Sequence, residues 1–180
     1  MFRLAPVPET FFDAAPVRYA AKWNISRSAD EVWADLNADT PLHWVRGLEV
    51  RWTSPAPLGV NSTHVATVLG LLRAHEQYFV WEEGTRKAFF VAQSNLPMFK
   101  RLAEDYRVIT TGPRSCELAW VIAGEPTFLG RMNLPVLNIL MRRFFNDTSG
   151  HYGSRPVDGI STSLPAAGES SISFASRREP

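Results

Sequence analysis

Between Leu48 and Ala123 the chain reads with a period of two. Six runs rich in β-branched and aromatic residues, at about 48 to 54, 62 to 69, 74 to 83, 87 to 94, 103 to 111 and 115 to 123, are separated by breaks such as PAPLG, GT and GPR. Alternation sends successive side chains to opposite faces, and the Gly and Pro of the breaks supply turns that join antiparallel neighbours. The joins GLLR and NLPMFKR lack a strong turn signal. A meander in a single antiparallel sheet is expected. One of its hairpins carries Tyr78, Phe79, Val80 and Trp81 on one arm and Phe89, Phe90 and Val91 on the other, so apolar bulk stands on both faces. Each face then needs a cover, which is either a filled core or the wall of a hollow.

The flanking segments supply candidates for that cover. VRYAAKWNI, Val17 to Ile25, reads as a further strand, with Tyr19, Trp23 and Ile25 on one side. Ser28 with Glu31 three residues on is a capping box that opens a helix whose apolar face is Ala29, Val32, Trp33 and Leu36. Asp39-Thr40-Pro41 stops it, and PLHWVRG predicts a second short helix from Pro41 to Gly47. After Glu125-Pro126 the period returns to that of a helix. LPVLNILMRRFFNDTSG places Leu137, Leu140, Met141, Phe144 and Phe145 on one side, Arg142 and Arg143 near the end, and Gly150 as terminator. Residues 1 to 16, with three prolines, predict an irregular lead-in whose Phe11 and Phe12 dock on the body. Residues 151 to 180, rich in Ser, Gly, Pro and Ala, predict a mobile tail, unless Ile160, Leu164 or Phe174 fold back over the body.

A length of 180 residues, 45% hydrophobic, fits one domain with a sizeable core. Its 19 basic and 18 acidic side chains nearly cancel without forming a block, which disfavours nucleic acid as a partner. Cys116 stands alone and suits a reducing compartment. The opening MFRLAPVPETFF breaks its apolar character before a secretory signal can form, and no run reaches the roughly 20 apolar residues a membrane helix needs. These features predict a soluble, cytoplasmic protein.

The order strand, two short helices, six antiparallel strands and a long helix, carried by ISRSADEVWADLNADTPLHWVRGLEV, PLGVNSTHVATVLG and GPRSCELAWVIAGEP, resembles the START-like, or SRPBCC, superfamily. The resemblance spans residues 17 to 150. It implies an α+β helix-grip fold, a curved seven-stranded antiparallel sheet wrapped around the C-terminal helix. It further implies an internal cavity for a lipid or polyketide-like molecule, used for binding or transport, or for cyclase or dehydratase chemistry. A fold hosts many activities, so the reaction does not follow from it.

Local chemistry narrows this little. His43, His64, His75 and His151 are scattered without metal-ligand spacing, so neither a metal nor another cofactor is expected. No nucleophile elbow or phosphate loop occurs, and Cys116 shares parity with Leu118 and Trp120 as a core residue would. Polar residues among the strand aromatics remain: His75, Glu76, Gln77 and Tyr78, then Gln93 and Ser94, then Tyr106 and Arg107. Glu76 and Arg107 suggest a cross-strand ion pair. Tyr78, His75, Glu76, Tyr106 and Arg107 are the proton-transfer candidates if the cavity is catalytic. Strand parity selects either His75, Gln77, Phe79 and Trp81 or Glu76, Tyr78, Val80 and Glu82 for the interior. With the first set inward, the expected lining is Trp44, His75, Gln77, Phe79, Trp81, Phe90, Tyr106, Trp120, Leu137, Met141 and Phe144.

Overall fold

A computed structural model describes residues 1–157 and 160–163. The chain is α+β, with a large curved antiparallel sheet and a C-terminal helix. In sequence order the elements are β1 (Phe2–Arg3), α1 (Phe11–Ala14), β2 (Val17–Ile25), α2 (Ala29–Leu36), β3 (Leu48–Trp52), β4 (Thr63–Val68), β5 (Leu72–Glu82), β6 (Arg86–Ser94), β7 (Phe99–Gly112), β8 (Ser115–Pro126), α3 (Phe128–Met132), α4 (Leu134–Tyr152) and β9 (Ser161–Ser163). The sheet order is β3-β4-β5-β6-β7-β8-β2-β9, and β1 pairs with β6. The six central strands form the expected meander, with β2 closing on β8. Two short strands, β1 and β9, lie beyond the seven expected.

The alternation fixes what each face holds. Tyr19 and Trp23 of β2, Tyr78 of β5, Phe89 of β6, Tyr106 of β7 and Trp120 of β8 join one core with α2 and α4. The indole of Trp23 donates to Ser149 Oγ at 2.9 Å and meets the Phe145 ring edge-on at 5.7 Å, which seats α4 against the inner face. On the outer face, Phe11 and Phe12 of α1 pack with Val7, Phe79, Val80 and Phe90 over three buried alanines, Ala88, Ala103 and Ala123. Small residues there let the helical turn approach the strands closely. The two-sided apolar hairpin is thereby covered on both sides within one chain.

Four segments differ from expectation. Residues 41–47 form turns rather than a helix, because Leu42 at φ 56° and Gly47 at φ 83° leave the right-handed region. The lead-in holds β1, which fits where β6 and β7 part beyond Phe90, and Leu4 N–H donates to Ala92 O at 3.0 Å. The last helix passes Gly150 and ends with Gly153 at φ 62°, the left-handed cap that glycine suits. The expected mobile tail is ordered over 151–157 and 160–163. Val157 N–H donates to Lys22 O at 2.8 Å, β9 pairs with β2, and Ile160 rests against the core. Unpaired N–H and C=O groups along β2 give this segment backbone partners that its composition does not advertise. Leu164 and Phe174 lie outside the described residues.

Candidate functional site

Between α4 and the inner face of the sheet lies a cavity of about 440 Å³. Val50, Ala66, Ala74, Val91 and Ile122 supply its strand walls, Leu137, Leu140, Met141 and Phe144 its helical wall, and Leu4 reaches it from beside β6. A side chain at Gly124 would collide with the Phe99 ring, its Cβ only 2.7 Å from that ring, so glycine is what allows the aromatic to lie across the wall. Leu69, Leu71, Leu96 and Val136 also border the cavity and are exposed, which makes its open end apolar.

Polar groups gather on the strands at the other end. Lys87 follows the β5–β6 turn, whereas Ser94 ends β6 near Leu96. At about 3.3 Å per residue these two lining positions stand on the order of 20 Å apart. His64 Nε2 and Glu76 Oε2 are in direct contact across β4 and β5, with His64 only 3% and Glu76 6% exposed. Glu104 Oε2 accepts from the Tyr106 hydroxyl at 2.8 Å and from the Trp120 indole N–H at 2.9 Å. Lys87 Nζ donates to Leu36 O at 2.6 Å and Asn37 Oδ1 at 2.9 Å, at the end of α2. Four aromatic rings, of Trp52, Tyr78, Trp81 and Tyr106, surround that nitrogen with centroids 5.6–5.8 Å away.

Burial sets the charge of these groups. It pushes the Lys87 ammonium down to about 7, opposed by the nearby Glu104. It pushes Glu104 up to about 8, reinforced by Glu76 and opposed by its two hydrogen-bond donors. Tyr78 and Tyr106 are held well above the ordinary phenol range for the same first reason. Burial thus favours the neutral form of each, the carboxylic acid of Glu104 and the free amine of Lys87. Such a wall can donate and accept hydrogen bonds at a ligand's polar group, and it can move protons.

Among the residues expected at the site, Tyr106, Trp120, Leu137, Met141 and Phe144 line the cavity. The others stand elsewhere. His75 is exposed on the opposite face, Gln77 donates to Asn61 Oδ1 at 3.2 Å, and Phe79 and Phe90 belong to the outer cluster. Trp44 sits behind α4, stacked on His151 at 4.1 Å with its indole N–H donating to Thr148. Trp81 packs edge-on against Trp33 and Tyr78 and donates to Glu83 at 2.8 Å. The reason is parity with a fault in it. Glu76 and Tyr78 point inward, and an irregularity between Tyr78 and Val80 then shifts the alternation, so that Phe79 and Val80 both join the outer cluster. Glu76 pairs with His64, not Arg107, whose guanidinium donates to Asp105 at 3.0 Å. Lys87 and Glu104 escaped the sequence reading. Their signal was parity with Phe89 and Val91 and with Leu102 and Tyr106, all of which line the cavity. Cys116 is fully buried in the core, and among the described residues no three His, Cys, Asp or Glu side chains gather to hold a metal ion.

No family model matches the chain. It is 29% identical over 163 residues to uncharacterized proteins of Mycobacterium bovis and Mycobacterium tuberculosis, covering 86% of this chain and 96% of theirs. Similar solved structures include a START superfamily protein from Mycobacterium smegmatis, at TM-score 0.60 and 12% identity, covering 76% of this chain and 97% of that one. Ginseng major latex-like protein 151 from Panax ginseng superposes at 0.53 and 15% identity, over 76% and 98% of the two chains. Norcoclaurine synthase from Thalictrum flavum, solved with dopamine and hydroxybenzaldehyde, superposes at 0.55 and 11% identity, over 84% and 95%. The fold is the START-like helix-grip fold.

Proposed function

We propose that the protein binds a hydrophobic small molecule, a lipid or a polyketide-like compound, with its polar group at the Lys87–Glu104 end and its apolar body toward α4. The carrying observation is an apolar cavity of about 440 Å³ whose ionisable side chains, His64, Glu76, Lys87 and Glu104, all stand on its strand walls. Burying some 300 Å² of apolar ligand surface yields roughly 7 kcal/mol before association costs, which a preformed site keeps low and hydrogen bonds at the polar group help to offset. That another protein of this fold was solved with dopamine and hydroxybenzaldehyde supports the same use of the fold. Cys116, buried and free, suits work in the cytoplasm. Native mass spectrometry of freshly purified protein and thermal-shift titration with fatty acids, fatty alcohols and aromatic ketones test the reading. Co-purification of an apolar compound, or a concentration-dependent rise in Tm, is expected. A flat response across all three classes defeats it.

The polar wall favours a second reading, an enzyme of cyclase or dehydratase type working in the same cavity. The His64–Glu76 contact and the protonated Glu104 would be its base and its acid. Its test is turnover: a bound ketone recovered unchanged after prolonged incubation argues for a carrier.

A further inference from the structure

We propose that Lys87 captures the carbonyl group of an apolar aldehyde or ketone as an imine, with Glu104 supplying the proton that carries water away. This rests on the cavity being a ligand site and names the class of ligand it takes. Three features of the site lead to it.

The first is position. The sequence contains three lysines, Lys22, Lys87 and Lys100. Lys22 and Lys100 are exposed, paired with Glu117 and Glu125, whereas Lys87 is 2% exposed and lines the cavity. The second is the state of its nitrogen. Leu36 O and Asn37 Oδ1 accept two of its N–H bonds and leave one position, among aromatic rings on the cavity wall. In the free amine, which burial favours, that position is the lone pair that attacks a carbonyl carbon. The third is the partner. Both hydrogen bonds to Glu104 fall on Oε2, which leaves Oε1 as the oxygen to carry a carboxyl hydrogen when Glu104 is protonated. Glu104 also lines the cavity, on the strand next to that of Lys87, where Lys87 pairs with Tyr106 and Phe89 with Glu104.

The step balances within the site. The Lys87 nitrogen forms a bond to the carbonyl carbon while a proton passes from nitrogen to the carbonyl oxygen, giving a carbinolamine. Glu104 then protonates the hydroxyl, the C–O bond breaks, water leaves, and the nitrogen loses its remaining proton to the Glu104 carboxylate. One carbonyl compound and one amine become one imine and one water, with no change of oxidation state.

The full-length protein is incubated with nonanal and sodium cyanoborohydride, which delivers hydride to the imine, and is then digested for peptide mass spectrometry. The expected product is Lys87 heavier by the mass of nonanal less one oxygen, formed at least tenfold faster than the adducts of Lys22 and Lys100. The rate should peak between pH about 7 and about 8, because it needs a neutral Lys87 and a protonated Glu104. Lys87→Arg keeps donors toward α2 and should abolish that adduct while leaving those of Lys22 and Lys100 unchanged. Glu104→Gln, which leaves Lys87 in place, should slow trapping about tenfold and remove the fall in rate above pH about 8. Equal labelling of all three lysines, or nonanol binding without a Lys87 adduct, overturns the proposal while leaving the ligand site standing. Failure of nonanal to bind, together with a flat response to fatty acids, fatty alcohols and aromatic ketones, overturns the two together.

Discussion

At the scale of single residues, the buried Lys87 and Glu104 tie stability to pH in opposite senses. Glu104 is raised from 4.5 to about 8, so between those values the folded chain keeps a proton that the unfolded chain releases, and stability falls as pH rises. Lys87 is lowered from 10.5 to about 7, so between those values the unfolded chain holds the extra proton, and stability climbs as pH rises. A minimum near pH 7 to 8 follows. Denaturant unfolding of the wild type and of Glu104→Gln checks it. The substitution removes the group responsible for the acid-side fall, so the variant should gain about 2 kcal/mol on the wild type between pH 5.5 and 7.5. Parallel curves for the two proteins would mean that Glu104 is ionised and solvated in the fold. Neither residue stands out in the sequence, where Thr-Arg-Lys and Ala-Glu-Asp read as ordinary polar runs. What distinguishes Lys87 and Glu104 is the wall they face, and a neighbour on another strand is not written into local sequence.

At the scale of elements, local signals were legible where they act locally. The Ser28–Glu31 box is present with both reciprocal bonds, and the strand runs of the meander stand close to where alternation put them. Removing the Ser28 hydroxyl forfeits one of those bonds, so Ser28→Ala should lower stability by about 1 kcal/mol with the denaturant m-value unchanged. What the runs withheld was which parity faces α4, because Tyr78, Phe79, Val80 and Trp81 are apolar on either choice. An irregularity between Tyr78 and Val80 carries no sequence mark and turns Trp81 back toward Trp33. The outer face depends on a helical turn too short to announce itself. Phe12 is 4% exposed there and stacks with Phe79 at 6.2 Å, far from the cavity wall. Phe12→Ala should therefore lower stability by about 3 kcal/mol and leave nonanol affinity within twofold of wild type. A matching loss of affinity would show that the two faces of the sheet are coupled.

At the scale of the whole molecule, the sheet has more to do than its own strands can cover. The N-terminal segment closes the outer face and fits between β6 and β7, and the chain beyond α4 returns along β2, so both ends of the described chain brace a sheet wrapped around unfilled space. That emptiness has a measurable sign. In a close-packed core, enlarging a buried alanine forces strain and typically costs 1–3 kcal/mol. Ala66 is 6% exposed on the strand wall of the cavity, so a larger side chain there enters open volume and gains contacts that the alanine lacks. Ala66→Leu should accordingly leave the ligand-free Tm unchanged or raise it. The same leucine occupies space the ligand needs, and a ligand at a hundred times its Kd contributes about 2.7 kcal/mol of apparent stability to the wild type. Most of that ligand-induced rise should disappear in the variant. Calorimetry of both proteins with and without nonanol separates the possibilities: a destabilised Ala66→Leu protein that keeps its full ligand shift would place the bound molecule somewhere other than this cavity.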